Sequence, residues 1–382
     1  MSVKPGPSEQ QKPEPSGEPA RPFADFMRLS AWLCIAGGIV ICLLAFSSFL
    51  APGFWFTDNM SFFHRQFLAA AVGGLVGSLL TSAAAGGLGR AFVKGQLVLL
   101  ITIVTLLSLL ISRTQEVSTP TNSVAIDQAA AGPGLRLMSA NIEGLSLSDP
   151  DFVSFIERTD PDVLLIEELQ WDYQVHRNKA LQSDHRKALG AAYPHHLALG
   201  DLGDVALFSK YPIVEDETTI VHGIPPEGTN AHYVANRELV AATLDLKGQR
   251  VRVFALHPES PRSSIRWTNR QDYYDALSEA LAQETQPNKL PTIVMGDWNT
   301  SPWSGVLLKF LKDHDLRVTF PDGVPSTTRF FYDYRLHWIF GAIVDHIAVS
   351  NDITVNAVKL GPDIGSDHLP LIADIQLAES TE

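Results

Sequence analysis

Residues 291–299 read PTIVMGDWN, a β-type apolar run that breaks at a glycine and closes on Asp297 and Asn299. Taken alone, a capping Asp and a turn Asn explain such an ending. The pattern recurs along the chain. Residues 135–141 (LRLMSAN) end at Asn141, with Glu143 two positions on, and residues 162–168 (DVLLIEE) end at Glu167 and Glu168. Residues 250–257 (RVRVFALH) end at His257, and residues 342–350 (AIVDHIAVS) carry Asp345 and His346. Residues 365–371 (GSDHLPL) set Asp367 and His368 just before the last apolar alternation. In α/β sheets the side chains at strand ends project into the crevice where ligands bind. Six such endings, all of metal-ligand or acid–base type, are poorly explained as six separate turns.

Around these runs the chain interleaves further β-type stretches (DVALFS, LVAATLDL, LPLIADIQL) with helical ones. Residues 149–158 and 264–283 are the clearest helices. The second follows Ser263, an N-cap residue type, and keeps Ile265, Tyr273, Leu277 and Leu281 at helical spacing. The interleaving predicts an α/β domain over residues 134–378. Cys34 and Cys42, the two cysteines, fall inside one apolar run, so the domain has neither a disulfide framework nor a thiolate metal site.

The first third of the chain is different. Residues 1–22 are polar and rich in Pro, Gly, Ser and Glu, which predicts a disordered tail, continuing to residue 28. Three apolar runs follow at 29–50, 67–88 and 91–111, each long enough to cross a bilayer, and a polar linker occupies 114–133. Gly73, Gly74 and Gly77 give the second run a small-residue face suited to helix packing in lipid. Lys and Arg number four before the first run, one between the first and second, two between the second and third, and one after. That bias predicts a cytoplasmic tail and, after three crossings, an extracytoplasmic domain on a plasma or inner membrane. Residues 1–113 carry a net +3, and the remaining 21 Lys+Arg against 37 Asp+Glu give −16. So acidic a domain lacks the global footprint of a polyphosphate binder, although a local groove with bound cations can reverse the sign.

The chemistry these residues suit is phosphoryl transfer to water. Hard carboxylate oxygens bind Mg²⁺ or Mn²⁺ together with substrate phosphate. The chain has no HExxH, no GxxxxGK[ST] and no GxSxG, which removes zincins, P-loop NTPases and α/β-hydrolases. A transporter would need more spans and an intramembrane charge.

The order N-x-x-G, a Glu at the next strand end, His, GDxN, DH-h-x-x-S and SDHxP resembles the endonuclease/exonuclease/phosphatase superfamily. GDWN (296–299) and GSDHLP (365–370) are its most specific parts, and the likeness covers residues 134–377. It extends to bacterial members that carry several spans ahead of the domain. The resemblance implies a four-layer α/β sandwich, two packed mixed β-sheets flanked by helices, acting as a Mg²⁺-dependent (or Mn²⁺-dependent) phosphoesterase.

Carried over by position, it implies that Asn141 and Glu168 hold the metal, with Asp367 near it and Glu143 serving it through water. His257 would contact the scissile phosphate, Asp297 would orient or deprotonate water, and Asn299 would hold a phosphate oxygen. His368 would be the acid/base, oriented by Asp345 across neighbouring strands. Family members usually have Gln-Glu where this chain has Glu167-Glu168, so Glu167 is the alternative ligand. Arg270, on the helix after HPESP, is a candidate second phosphate clamp, and solvated helix charge is the plain alternative for it and for Arg262 and Arg266. Trp298, Trp303, Phe330, Phe331, Tyr332 and Trp338 read as core or as a loop resting on the membrane; His185, His195 and His196 read as surface residues. The implied partners are the bilayer and a phosphorylated substrate: nucleic acid, phospholipid headgroup or small phosphoester. The rival is a catalytically silent phospho-ligand-binding or partner-binding membrane protein. The intact His257, Asp297, Asn299, Asp345 and His368 count against it.

Overall fold

The computed structural model describes residues 21–87, 89–118, 131–143, 145, 149–168, 192–197, 204–225, 235–283 and 289–378. Most of the expected tail, the central part of the linker and His185 lie outside these residues.

Among the described residues three helices are long and apolar enough to cross a membrane: Arg21–Leu50, Trp55–Ala84 and Arg90–Val117. The first begins at Arg21, earlier than the end of polar composition suggests, and the third continues through Glu116 into the expected linker. By internal contacts the chain divides into Met1–Leu43 with Phe67–Leu107, and Leu44–Gln66 with Ser108–Glu382. The second unit therefore includes the connection between the first two apolar helices. A domain boundary drawn at residue 134 misses that.

The second unit is built from two six-stranded sheets. Sheet one is made of β1 (Ala131–Asn141), β2 (Val163–Glu167), β3 (His195–Leu197), β4 (Val205–Ser209), β13 (Ile353–Leu360) and β14 (Leu371–Ala378), in the order β13-β14-β1-β2-β4-β3. Sheet two has β5 (Ile213–Val221), β6 (Arg237–Leu246), β7 (Gln249–Leu256), β8 (Thr292–Asp297), β9 (Leu316–Val318) and β12 (Asp345–Ser350), in the order β5-β6-β7-β8-β12-β9. Short strands β10 (Arg329–Phe330) and β11 (Gly341–Ala342) pair separately. β1–β2 and β7–β8 are parallel and the other pairs antiparallel, so both sheets are mixed.

Period-two alternation fills both faces of each sheet. Leu135 and Leu137 of β1, with Val163 and Leu165 of β2, meet Val251 and Val253 of β7 and Ile293 and Met295 of β8 in the core between sheets. Met138, Ala140, Leu164 and Ile166 face outward onto Phe152, Phe155 and Ile156 of the helix Pro150–Thr159. That helix is started by Asp149, whose side chain accepts from the Asp151 and Phe152 N–H groups. On the far side Phe254, Leu256 and Val294 pack against Tyr273, Leu277 and Leu281 of the helix Ser264–Gln283 and Leu307 and Phe310 of Gly305–Asp313. The result is the four-layer sandwich. Trp298, Trp303 and Phe330 are buried, whereas Phe331, Tyr332 and Trp338 stand exposed. His195 and His196 lie half-buried on the edge strand β3.

Candidate active site

One end of the sandwich collects the polar strand ends because of strand direction. β1, β2, β7 and β8 finish there, while the antiparallel neighbours β4, β12 and β14 start there. The register sets Asn141 beside Glu167, Glu167 beside Val205, and Asp297 beside Asp345. Just past these ends the chain turns through left-handed backbone at Glu143, Glu168 and Asn299, with φ of 44°, 53° and 46°. Non-glycine residues take that conformation at a cost on the order of 1–3 kcal/mol, and such strain concentrates at functional sites. Here it swings three polar side chains into the crevice.

Asp297 sits at the centre, about 1% exposed. Its Oδ1 accepts from the Asn299 N–H (2.8 Å) and its Oδ2 from Asn299 Nδ2 (3.1 Å) and Asn141 Nδ2 (3.4 Å). His257 Nε2 and His368 Nε2 each stand 3.8 Å from the same Oδ2. Burial, then the nearby charge of Asp345, pushes Asp297 up to about 6. Asn141 also donates to Glu168 Oε1 (3.0 Å) and accepts from the Glu143 N–H (3.1 Å). Glu168 Oε1 lies 3.4 Å from His257 Nε2. Burial works against the Glu168 charge, but His257 and Asn141 outweigh it and bring Glu168 down to about 2.

Each histidine is backed by a carboxylate on Nδ1. Asp345 lies 3.0 Å from His368, and Asp204 lies 2.9 Å from His257. Burial lowers both histidines, but the carboxylates more than reverse it: His368 rises to about 9, and His257 is raised well above its ordinary value by Asp204 and Glu168. The Asp345–His368 pair does not run across neighbouring strands as the sequence suggested. β12 belongs to sheet two and His368 precedes β14 of sheet one, so the contact bridges the two sheets.

The remaining candidates sort by contact. Glu167 is fully buried, accepts from Ser139 Oγ (2.8 Å), and is pushed well above the carboxylate range by burial and then by Asp345. Its carboxyl lies between the two sheets, in neither of the groups of ligand-type atoms gathered around Asp297. Asp367 does not join the metal-type cluster either: Arg329 Nε and Nη2 donate to its Oδ2 at 2.9 and 2.8 Å, and its Oδ1 is 3.6 Å from His368 Nε2. Glu143 accepts from the Asp367 N–H (3.3 Å), and burial followed by the Asp367 charge raises it. Arg270 is not a phosphate clamp. Its guanidinium is fully buried behind the site, on Asp58 and the Asn299 carbonyl. His346 points to the outer layer, where its Nε2 meets the Thr300 carbonyl (2.9 Å) and burial lowers it to about 4.

Sequence reasoning missed Asp204 and Arg329. Asp204 had a signal: it opens DVALFS, and a strand antiparallel to β2 starts where β2 ends. Arg329 had none, since it lies on β10, a two-residue strand too short to leave a pattern.

Glu168, His257 and Asp297 form one group whose ligand-type atoms lie within 4.8 Å of one another, and Asp297, Asp345 and His368 form a second. Oxygen donors from Glu168, Asp297 and the Asn141 amide suit a hard divalent cation. The raised Asp297, a buried carboxylate next to another, is the electrostatic vacancy a cation would relieve.

A family model described as Endonuclease/Exonuclease/phosphatase family matches residues 138–368, more than half of the chain. This chain belongs to the endonuclease/exonuclease/phosphatase family. Within that family it is similar to exodeoxyribonuclease III of Haemophilus influenzae, 23% identical over 282 residues, which cover 63% of this chain and 100% of that protein. It is also similar to two solved family structures. An endonuclease/exonuclease/phosphatase from Beutenbergia cavernae is 20% identical with a TM-score of 0.49, covering 65% of this chain and 72% of that one. A family protein from Bacteroides thetaiotaomicron is 19% identical with a TM-score of 0.47, covering 65% and 99%.

Proposed function

We propose that this endonuclease/exonuclease/phosphatase domain is a divalent-metal-dependent phosphoesterase that works while anchored in a membrane. The observation that carries the reading is the convergence of Glu168, His257 and His368 on Asp297, with Asp204 and Asp345 backing the two histidines.

Glu168 and the Asn141 amide would hold Mg²⁺ or Mn²⁺, which when bound supplies positive charge to the substrate phosphate. Asp297, poised near neutral pH, accepts a proton from the attacking water as its oxygen bonds to phosphorus. The bond from phosphorus to the leaving oxygen breaks in line, its electron pair departs with that oxygen, and the oxygen takes up a proton from solvent. His368 is held protonated by Asp345, and its Nε2 makes no hydrogen bond to the described residues, so it donates to a phosphate oxygen. His257, whose pKa Asp204 and Glu168 raise, is a second donor toward the phosphate. Asn299 fixes the Asp297 carboxylate rather than standing free, since its Nδ2 is shared between Asp297 and the Pro258 carbonyl (3.0 Å).

The similar Haemophilus influenzae protein is an exodeoxyribonuclease, which favours DNA. The −16 charge of residues 114–382 opposes it, because nucleic-acid affinity rests largely on Lys and Arg contacts to phosphates. With the anchor, that charge favours a phosphoester presented singly, as a lipid headgroup or small molecule, over a long polynucleotide. The test is a parallel assay of the full chain in detergent, with Mg²⁺ or Mn²⁺, on plasmid DNA, a chromogenic phosphodiester, phospholipid and a phosphomonoester. Cation-dependent hydrolysis of the chromogen, with phospholipid or monoester cleaved ahead of plasmid, is expected. No hydrolysis of any of the four would contradict the reading.

A further inference from the structure

The segment between the apolar runs 29–50 and 67–88 carries a single carboxylate, Asp58 on the short helix Trp55–Met60, and it is buried, about 1% exposed. Asp58 accepts from Arg270 Nη2, Ser304 Oγ and Trp267 Nε1 (2.9 Å). Around it Trp55 Nε1 and Asn59 Nδ2 donate to the Pro261 carbonyl (3.2 and 2.8 Å), and Ser301 Oγ donates to the Ser61 carbonyl (2.9 Å). The approach is close: a Cβ on Gly305 would come within 2.4 Å of Pro52.

Arg270 links this contact to the site. Its Nη1 donates to the Asn299 carbonyl (2.7 Å). The carbonyls on either side are held too, Trp298 by Tyr274 Oη (2.6 Å) and Thr300 by His346 Nε2 (2.9 Å). Three successive peptide groups behind Asp297 are thus fixed from the rear. Of the three side chains that fix them, Arg270 is the permanently charged one, and a buried guanidinium needs a counter-charge. Asp58 supplies it.

We propose that Asp58 is a positioning residue for the active site. By balancing Arg270 it holds the Asn299 carbonyl, and with it the left-handed turn that keeps Asn299 Nδ2 on Asp297 Oδ2. The connection between two membrane-type helices is then a working part of the enzyme and not a tether. Arg270→Lys would keep the ion pair but cannot span Asp58 and the carbonyl with a rigid fork.

The inference rests on the phosphoesterase reading for its kinetic arm alone. In the full chain, Asp58→Leu leaves a buried unpaired charge, and its thermal midpoint should fall on the order of 10 °C. Adding Arg270→Met should recover most of that midpoint while kcat stays about 10-fold low with KM little changed. Arg270→Lys should show the same kcat loss with a near-normal midpoint. A double variant that recovers kcat along with stability would overturn the positioning role and leave a packing contact. An Asp58→Leu variant that melts like the native chain would overturn the docking itself. A native chain inactive on every phosphoester would contradict the phosphoesterase reading instead, and the melting cycle would still uphold or overturn the Asp58–Arg270 coupling.

Discussion

Between Glu167 and Glu168 the backbone leaves β2 and enters the left-handed region, and that turn separates two adjacent carboxyls. Glu167 follows the strand alternation into the space between sheets, where burial raises its pKa; Glu168 turns into the crevice, where His257 and Asn141 bring its pKa down to about 2. Glu167→Gln, which keeps the acceptor for Ser139, should therefore leave kcat within about threefold of native. Glu168→Gln should lose at least the ~10–100-fold that even outer-shell metal partners cost. Steady-state kinetics on a chromogenic phosphodiester distinguish them, and a more damaging change at 167 would reverse the assignment. His368 provides a pH test. Because its pKa is raised to about 9, the protonated donor persists through neutral pH and is lost as pH rises through that value. The rate should fall on an alkaline limb near 9. Asp345→Asn removes the largest raising charge and leaves burial opposed only by Asp297 and Asp367, so the limb should move down toward the ordinary 6.5. A pH–rate profile whose alkaline limb ignores Asp345→Asn would show that another group titrates.

At the scale of strands, Gly296 decides how closely the sheets bring these groups together. Its φ is +145°, and a Cβ there would lie 2.0 Å from the Leu256 carbonyl and 3.1 Å from Glu167 Oε1. Gly296→Ala should spread the ends of β7 and β8, lowering stability by on the order of 1–3 kcal/mol and kcat at least tenfold, as thermal melting and turnover would read. An alanine variant with native kinetics would mean that the spacing of those ends is not critical. The eight strands legible in the sequence are the ones with apolar alternation or runs. β5 was not, because it is an edge strand whose middle (VEDETT) faces solvent and carries no apolar signal. β13 was hidden by a register shift between Val355 and Ala357 that breaks its alternation, and β9, β10 and β11 are too short to leave a pattern. The site residues were legible because catalysis places polar groups where packing would not. The contact of Asp345 with His368 was assigned to neighbouring strands because no local pattern tells which sheet a strand joins. Asp58 was invisible for a related reason: its partner Arg270 is 212 positions away, and an Asp between apolar helices reads as a solvated loop.

At the scale of the molecule, the proposed anchoring has a consequence for topology: if all three apolar helices cross, the unit formed by Leu44–Gln66 and Ser108–Glu382 lies on one side of the membrane and the tail on the other. Protease added to right-side-out vesicles should digest the domain and spare a tag on Met1; the reverse pattern would mean that the basic bias of the tail has been misread, and loss of both would mean that one of the three apolar helices does not cross. In the proposed reading, the acidity of the domain leaves a bound cation to supply positive charge where phosphate binds. Everything proposed for the site depends on that cation. The most direct test is therefore the rate of phosphodiester hydrolysis by the full chain in detergent, stripped with EDTA and then titrated with Mg²⁺. A rate near background after stripping, restored saturably by Mg²⁺ and shifted to higher Mg²⁺ by Glu168→Gln, is the predicted result. A stripped protein that hydrolyses as fast as the reloaded one would contradict it.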